Sequence, residues 1–293
     1  MDEARALHTA ARRYCRTQHD EWWQKDQTLG LRLFHQGTGR WKTDQATPEE
    51  FAVYPRWMIL QAILREVEML DPDDLPPMSD LRSCLRKIGR EATDDSLAYP
   101  GNEPGTPAMD DERRRFLQYI ESLSQLELGK VRPLPYLRIL TVDETKPLWD
   151  LVEKRWGIKG YCYPPPDGEL PSDMLAFHTD YFDEQKIEIV RKILAERGIK
   201  RIRQLRGIGL EIELESFQVS FSVSMGSKVL YGAGEEGYWM SEGQDFLVCA
   251  SHEASITIGG AWLVEAFEHA VPGCRERTYL GELRSDDFRG RWF

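Results

Sequence analysis

Residues 200–224 limit the fold more than any other stretch. Residues 200–206 (KRIRQLR) and 210–216 (LEIELES) alternate charged and apolar side chains around Gly207-Ile208-Gly209. In a strand, successive side chains point to opposite faces. Two such runs joined by a short glycine-bearing link read as a β-hairpin. Pairing Arg206 with Leu210 sets Arg203 against Glu213 and Arg201 against Glu215 on one face, and Ile202 against Leu214 on the other. Phe217, Val219, Phe221 and Val223 then alternate with Gln218, Ser220, Ser222 and Ser224. Strands that follow one another through short turns require an antiparallel sheet.

The first 130 residues carry a different period. Leu7, Ala11, Tyr14, Cys15 and Trp22 recur near the 3.6-residue helical repeat over residues 2–29. Thr47-Pro48-Glu49-Glu50 is a helix start, with Thr47 as cap, Pro48 at the first helical position and Glu50 reaching back. Pro55 interrupts, and a helix over 55–70 turns Leu60, Ile63, Leu64, Val67 and Leu70 inward. Ser79 caps a short helix with Leu81, Leu85 and Ile88. Residues 94–108, with three prolines and two glycines, read as a loop, and a last helix begins near Asp110. Past Gly129 come a strand over 136–142, a helix over 147–156, a Pro-rich loop over 161–171 and an Asp183-capped helix that ends before Gly198. Strands over 228–231, 246–250 and 255–258 and a helix over 261–270 follow the hairpin. The fold class is therefore α+β. An N-terminal all-α helical bundle (1–130) precedes a domain (131–281) whose antiparallel β-sheet is covered by helices on one face, and a charged tail (282–293) ends the chain.

Charge narrows the function classes. Among 293 residues, 38 are Lys or Arg and 49 are Asp or Glu, a net −11. Residues 1–130 hold 18 basic and 23 acidic residues, and 131–293 hold 20 and 26, so no single tail carries the acidity. Phosphate contacts need clustered cations, so the balance disfavours nucleic acid and suits another protein, possibly a basic one, as partner. No apolar run approaches the ~20 residues of a membrane helix, and the N-terminus lacks a signal-peptide layout. Cys15, Cys84, Cys162, Cys249 and Cys274 are dispersed, odd in number and without metal-motif spacing, which reads as reduced thiols in a cytoplasmic protein. No cofactor or metal is expected.

Several clusters are candidate sites. Ser251-His252-Glu253 lies between two strands, and His252 with Glu253 is a candidate acid–base pair that His178 and Asp180 could join. The competing reading of 251–255 is a hairpin turn, and that of Asp180 and Asp183 is capping of a helix N-terminus. Arg191, Arg201 and Arg203 mark a basic 191–206 stretch able to grip phosphate, against a cross-strand ladder in which glutamates already answer the arginines. Gly259-Gly260 before a helix reads as close packing or a turn. Trp156, Tyr161 and Tyr163 beside Pro164-Pro165-Pro166 are candidate partner contacts, against a loop that these aromatics pack over the sheet edge, and the 147–156 helix turns Leu148, Leu151, Val152 and Trp156 inward. Trp22 and Trp23 are candidate partner contacts as well, and project about 100° apart on a helix, leaving one of them to face solvent.

Residues 156–161 (WGIKGY) and 251–260 (SHEASITIGG) resemble a family of bacterial proteins with no assigned activity. The resemblance covers mainly the second domain and implies no catalytic residue. In size and charge the chain is similar to immunity and defence accessory proteins. The reading is a non-enzymatic binding protein that recognises or neutralises a protein partner. The alternatives are a hydrolase or nuclease built on His252/Glu253 with His178/Asp180, and a nucleic-acid adaptor using the 191–206 face. Oligomeric state is open.

Overall fold

Local start and stop signals lay out the helices, and the sheet is assembled from pairings far apart in sequence. The computed structural model describes residues 1–35, 40–41, 47–93, 105–157, 171–206, 208–217, 237–243, 245–251 and 255–278. The proposed strand over 228–231, Tyr161, Tyr163, His252, Glu253 and the 282–293 tail lie outside them. The chain divides into two units, Met1–Leu134 and Pro135–Phe293.

In the first unit, α1 spans Glu3–Leu33, and a two-strand ribbon follows, β1 (Phe34–His35) with β2 (Arg40–Trp41). Thr47 and Glu50 form a reciprocal capping box at α2 (Pro48–Phe51). Then come α3 (Val53–Glu68), α4 (Met78–Glu91), α5 (Gly105–Ser122) and α6 (Gln125–Leu128). Leu7, Ala11 and Cys15 of α1 meet Ile59, Ile63 and Val67 of α3, with Leu81, Leu85, Phe116 and Ile120 closing the core. Three boundaries differ from the sequence reading. Pro55 sits inside the first turn of α3, where its missing N–H has no helical partner to lose. Pro77, not Ser79, precedes α4, and Ser79 turns its hydroxyl to Asp80. Gly105 to Met109 belong to α5, again with a proline, Pro107, in the first turn.

Ion pairs cross the helix interfaces of this unit. Glu68 accepts from Arg12 Nε at 3.2 Å and Arg16 Nε at 3.1 Å, and the Arg12 and Glu68 side chains are only 3% and 8% exposed. His8 Nε2 lies 2.9 Å from the Val67 carbonyl oxygen in the same interface. Arg56 of α3 holds Asp111 of α5 at 2.8 Å and also bonds the fully buried Glu112.

The second unit is a seven-stranded, wholly antiparallel sheet. Its strands are β3 (Leu137–Ile139), β4 (Met174–His178), β5 (Arg201–Arg206), β6 (Ile208–Glu213), β7 (Gly237–Met240), β8 (Leu247–Ser251) and β9 (Ser255–Gly259). Their spatial order is β3-β6-β5-β7-β8-β9-β4. Among the described residues, three helices pack on it: α7 (Val142–Trp156), α8 (Glu184–Glu196) and α9 (Ala261–Ala270). Ile187, Val190 and Leu194 of α8 and Leu263, Val264 and Phe267 of α9 cover the face that carries Phe177, Ile202, Trp239, Val248 and Ile258. Leu148, Val152 and Trp156 of α7 cover the opposite face, on Met174, Leu205, Tyr238, Met240 and Leu247. Helices thus lie on both faces rather than one, because β4, β7 and β9 are buried on both sides. Such strands lack the alternation that betrays a half-wet sheet.

The hairpin keeps its expected faces with a register two residues tighter. Arg206 pairs with Ile208, Arg203 with Glu211, Arg201 with Glu213 and Ile202 with Ile212. A shift of two preserves which side chains share a face, so the charged ladder survives with new partners. β6 stops at Glu213, and Leu214–Ser216 turn into a 3-10 helix, with the Leu214 N–H bonded to the Lys200 carbonyl. Phe217 is buried in the core, and the rest of the alternating run, 218–224, lies outside the described residues. Thr141 caps α7 with Glu144, so that helix starts at Val142 and encloses Pro147. Gly259 and Gly260 serve close packing. Gly260 has φ 108°, and a β-carbon there would stand 2.4 Å from the Asp245 carbonyl oxygen.

Candidate functional site

On α1, His19, Trp22, Trp23 and Asp26 follow at i, i+3, i+4 and i+7, the spacing of one helix face. Tyr54 and Trp57, three apart on α3, meet them. Trp57 is the hub. Trp23 stands 5.0 Å from it at 86°, Tyr54 5.1 Å at 83° and His19 5.6 Å at 89°, all edge-to-face. This geometry matches positive ring edges to negative ring faces. Trp23 and Tyr54 are 39% and 41% exposed.

Trp22, on the flank of this face, holds its ring between Lys25 Nζ at 3.9 Å and the Arg56 guanidinium at 4.9 Å. Arg56 reaches onward to Asp111 and Glu112, so Trp22 ties α1 to α3 and α5. It also lines an open groove of about 680 Å³ with Glu21, Leu29, Glu49, Glu50 and Val53. Trp22 is thus half-buried and already carries cations, and Trp23 is the member of the pair left to solvent. Asp26 is half-buried. Burial raises its carboxyl above the ordinary aspartate value, and the Trp57 indole beside it offsets part of that rise.

The remaining sequence candidates separate. Trp156 is 1% exposed, its indole packed on Gly259 and Met174 and its other side under Arg155 at 4.2 Å. It is a core residue, contrary to the partner-contact reading, because α7 presses that end of the helix onto the sheet. Tyr161 and Tyr163 lie outside the described residues, as do His252 and Glu253. The flanking residues Ser251 and Ser255 are directly paired in β8 and β9, and Ser255 also pairs with His178 of β4. His178 Nδ1 accepts from the Asp180 backbone N–H at 3.2 Å and lies 3.3 Å from its carboxylate, in an exposed turn. Asp183 caps α8, accepting from the Lys186 N–H at 3.0 Å. Among the described residues, no group of three His, Cys, Asp or Glu side chains is placed to hold a metal ion.

The basic stretch is answered locally. Arg191 makes two 2.7 Å bonds to Glu188. Arg201 lies 3.7 Å over the Tyr136 ring. Arg203 bonds Glu242 at 2.9 Å and faces Glu211 at 3.9 Å. Glu211 also accepts from the Tyr136 hydroxyl at 3.0 Å and Arg138 at 3.3 Å. Arg191 and Arg203 thus face carboxylates and Arg201 an aromatic ring, which leaves these three less open to phosphate.

Sequence reasoning picked out Trp23 and missed His19, Asp26, Tyr54 and Trp57. The i, i+4, i+7 spacing of His19, Trp23 and Asp26 was the available signal. The pairing of α1 with α3, which joins the two halves, has no local signature. No helix of the described residues is long and apolar enough to cross a membrane. No family model, curated protein or solved structure matches the chain.

Proposed function

We propose that the chain is a non-enzymatic binding protein that docks a protein partner on the α1–α3 aromatic face. One observation carries this reading: Trp23 and Tyr54 are exposed, yet each packs edge-to-face against Trp57. Aromatic side chains fixed before binding lose little conformational freedom on contact, and Trp and Tyr dominate binding hot spots. The hydrolase and nucleic-acid readings draw less support. His178 and Asp180 form an exposed turn pair, and Arg191, Arg201 and Arg203 are engaged with groups of their own unit.

Cys15, Cys84, Cys249 and Cys274 form no disulfide, which supports a reducing, cytoplasmic setting. An immunity- or defence-accessory role is one in which such a module would serve. The test is comparative capture from an extract of the native host with the wild-type chain, Trp23→Ala and Tyr54→Ala. A species retained near stoichiometry by the wild type and lost with both variants supports the reading. Identical captured sets from all three chains overturn it.

A further inference from the structure

The partner chemistry can be taken further, resting on the docking reading above. Among the described residues, five other aromatic rings carry a cation from the chain itself: Trp22, Tyr136, Trp156, Tyr181 and Trp262. Trp23, Tyr54 and Trp57 carry no cation of the described residues, although two of the three are exposed. Trp23 and Tyr54 stand nearly perpendicular to Trp57, His19 stacks parallel to Trp23 at 6.5 Å, and Trp23 and Tyr54 keep 39% and 41% of their surface open. Ring faces are the negative side of the aromatic quadrupole, and a cation within about 6 Å of more than one face is attracted by each.

Asp26 supplies an independent observation. Its carboxylate is half-buried beside Trp57 and makes no ion pair. A carboxylate withdrawn from water without a counter-charge costs stability that an incoming cation offsets. The neighbouring charges do not fill this role. Lys25 lies on Trp22, Arg56 is committed to Asp111 and Glu112, and Arg32 bonds Glu50. Glu21 and Glu49 line the groove beside Trp22, and Asp20 lies 3.2 Å from His19.

We propose that the Trp23–Trp57–Tyr54 corner receives a lysine or arginine side chain from a basic segment of a protein partner, with Asp26 as its counter-charge. The corner supplies the apolar walls and the ring faces, and the carboxylate sets the sign of the ligand.

The probes are a nine-residue peptide alternating arginine and glycine, its citrulline counterpart, which keeps shape without charge, and a glutamate counterpart. Binding to the full chain is read by calorimetry and by shifts of the tryptophan indole N–H resonances. The arginine peptide is expected to bind at least about 10-fold tighter than the citrulline peptide. Asp26→Asn should cost about 5–10-fold, Trp23→Ala at least as much, and Trp23→Phe should restore part of the loss. Raising salt from about 50 mM to about 500 mM should weaken binding of the charged peptide alone. Equal binding of the arginine and citrulline peptides, indifference to Asp26→Asn, or no binding of the arginine peptide overturns the proposal. Failure here is separable from failure of the docking reading. If Trp23→Ala loses the captured partner and Asp26→Asn keeps it, the face docks a protein by apolar contact without a buried cation.

Discussion

A β-carbon placed on Gly259 would stand 2.8 Å from Cζ3 of the Trp156 indole. The glycine leaves room for the ring that seals one end of the sheet. Trp156 is 1% exposed and packs in one buried cluster with Met174, Leu148 and Val152, so its ring has little room to yield. Gly259→Ala should therefore destabilise the second unit by about 1–3 kcal/mol, as overpacking does. Chemical denaturation would measure it, and Trp156→Leu in the same chain should recover part of the loss. An unchanged midpoint for Gly259→Ala would sink the packing account.

Glu68 is the common acceptor of Arg12 and Arg16 between α1 and α3. Removing it withdraws the carboxylate from a guanidinium that is 3% exposed, and losing one partner of a buried pair is costly. Glu68→Ala should cost about 3–5 kcal/mol. The double variant Arg12→Met/Glu68→Leu should be clearly more stable than Glu68→Ala, since apolar replacement of a whole pair is tolerated. If the single and double variants unfold together, the pair carries no such penalty.

His8 gives the first unit a pH dependence of known sign. Burial is the main cause that drives its imidazole down to about 4, with the Val67 carbonyl partly opposing and Arg12 and Arg5 adding to the fall. Hydrogen bonding to that carbonyl requires Nε2 to carry the proton of the neutral ring. The unfolded chain titrates at the ordinary 6.5. As pH drops below 6.5 the unfolded state binds a proton that the folded state refuses, and stability falls until about pH 4. The loss over that window is roughly 3 kcal/mol from this group alone. Denaturation midpoints of wild type and His8→Gln should converge as pH falls, because the variant lacks this slope. Parallel profiles would show that His8 is not the source.

Glu211 joins three groups on the wet end of the sheet: Arg138, Arg203 and the Tyr136 hydroxyl. Glu211→Ala should cost about 1–3 kcal/mol, since partly buried donors lose their acceptor together. A cycle with Arg138→Met would show the effects to be coupled. Strict additivity would mean the network contributes no more than its separate pairs.

What could be read from the sequence follows the range of the interaction. The Thr47/Glu50 box and the Asp183 cap use residues three apart, and both are present as read. The hairpin alternation determines faces, because parity is intrinsic to a strand. It does not fix register: the glycines suggest a three-residue loop over Gly207-Ile208-Gly209, and the strand resumes at Ile208. β4 and β7 went unread, since strands buried on both sides carry no alternating pattern. The helical period over 147–156 already turns Trp156 inward, and its burial under α7 against β9 and β4 agrees with that period and removes it as a contact residue. The α1–α3 corner was half legible. Trp23 stands out in the sequence, while Tyr54 and Trp57 join it only through helix packing.

The sheet order has a consequence for synthesis on the ribosome. β3 pairs with β6 about 75 residues later, and β4 pairs with β9 about 80 residues later. Contacts of such separation slow folding, because long loops must close before pairing stabilises them. A nascent chain that has emerged through α8 holds Met174, Leu175, Ala176 and Phe177 with no strand yet made to receive them. That apolar, uncharged run is a template for association with other chains until residue 259 follows. Chaperone capture of this unit should thus depend on how quickly its last strand is translated.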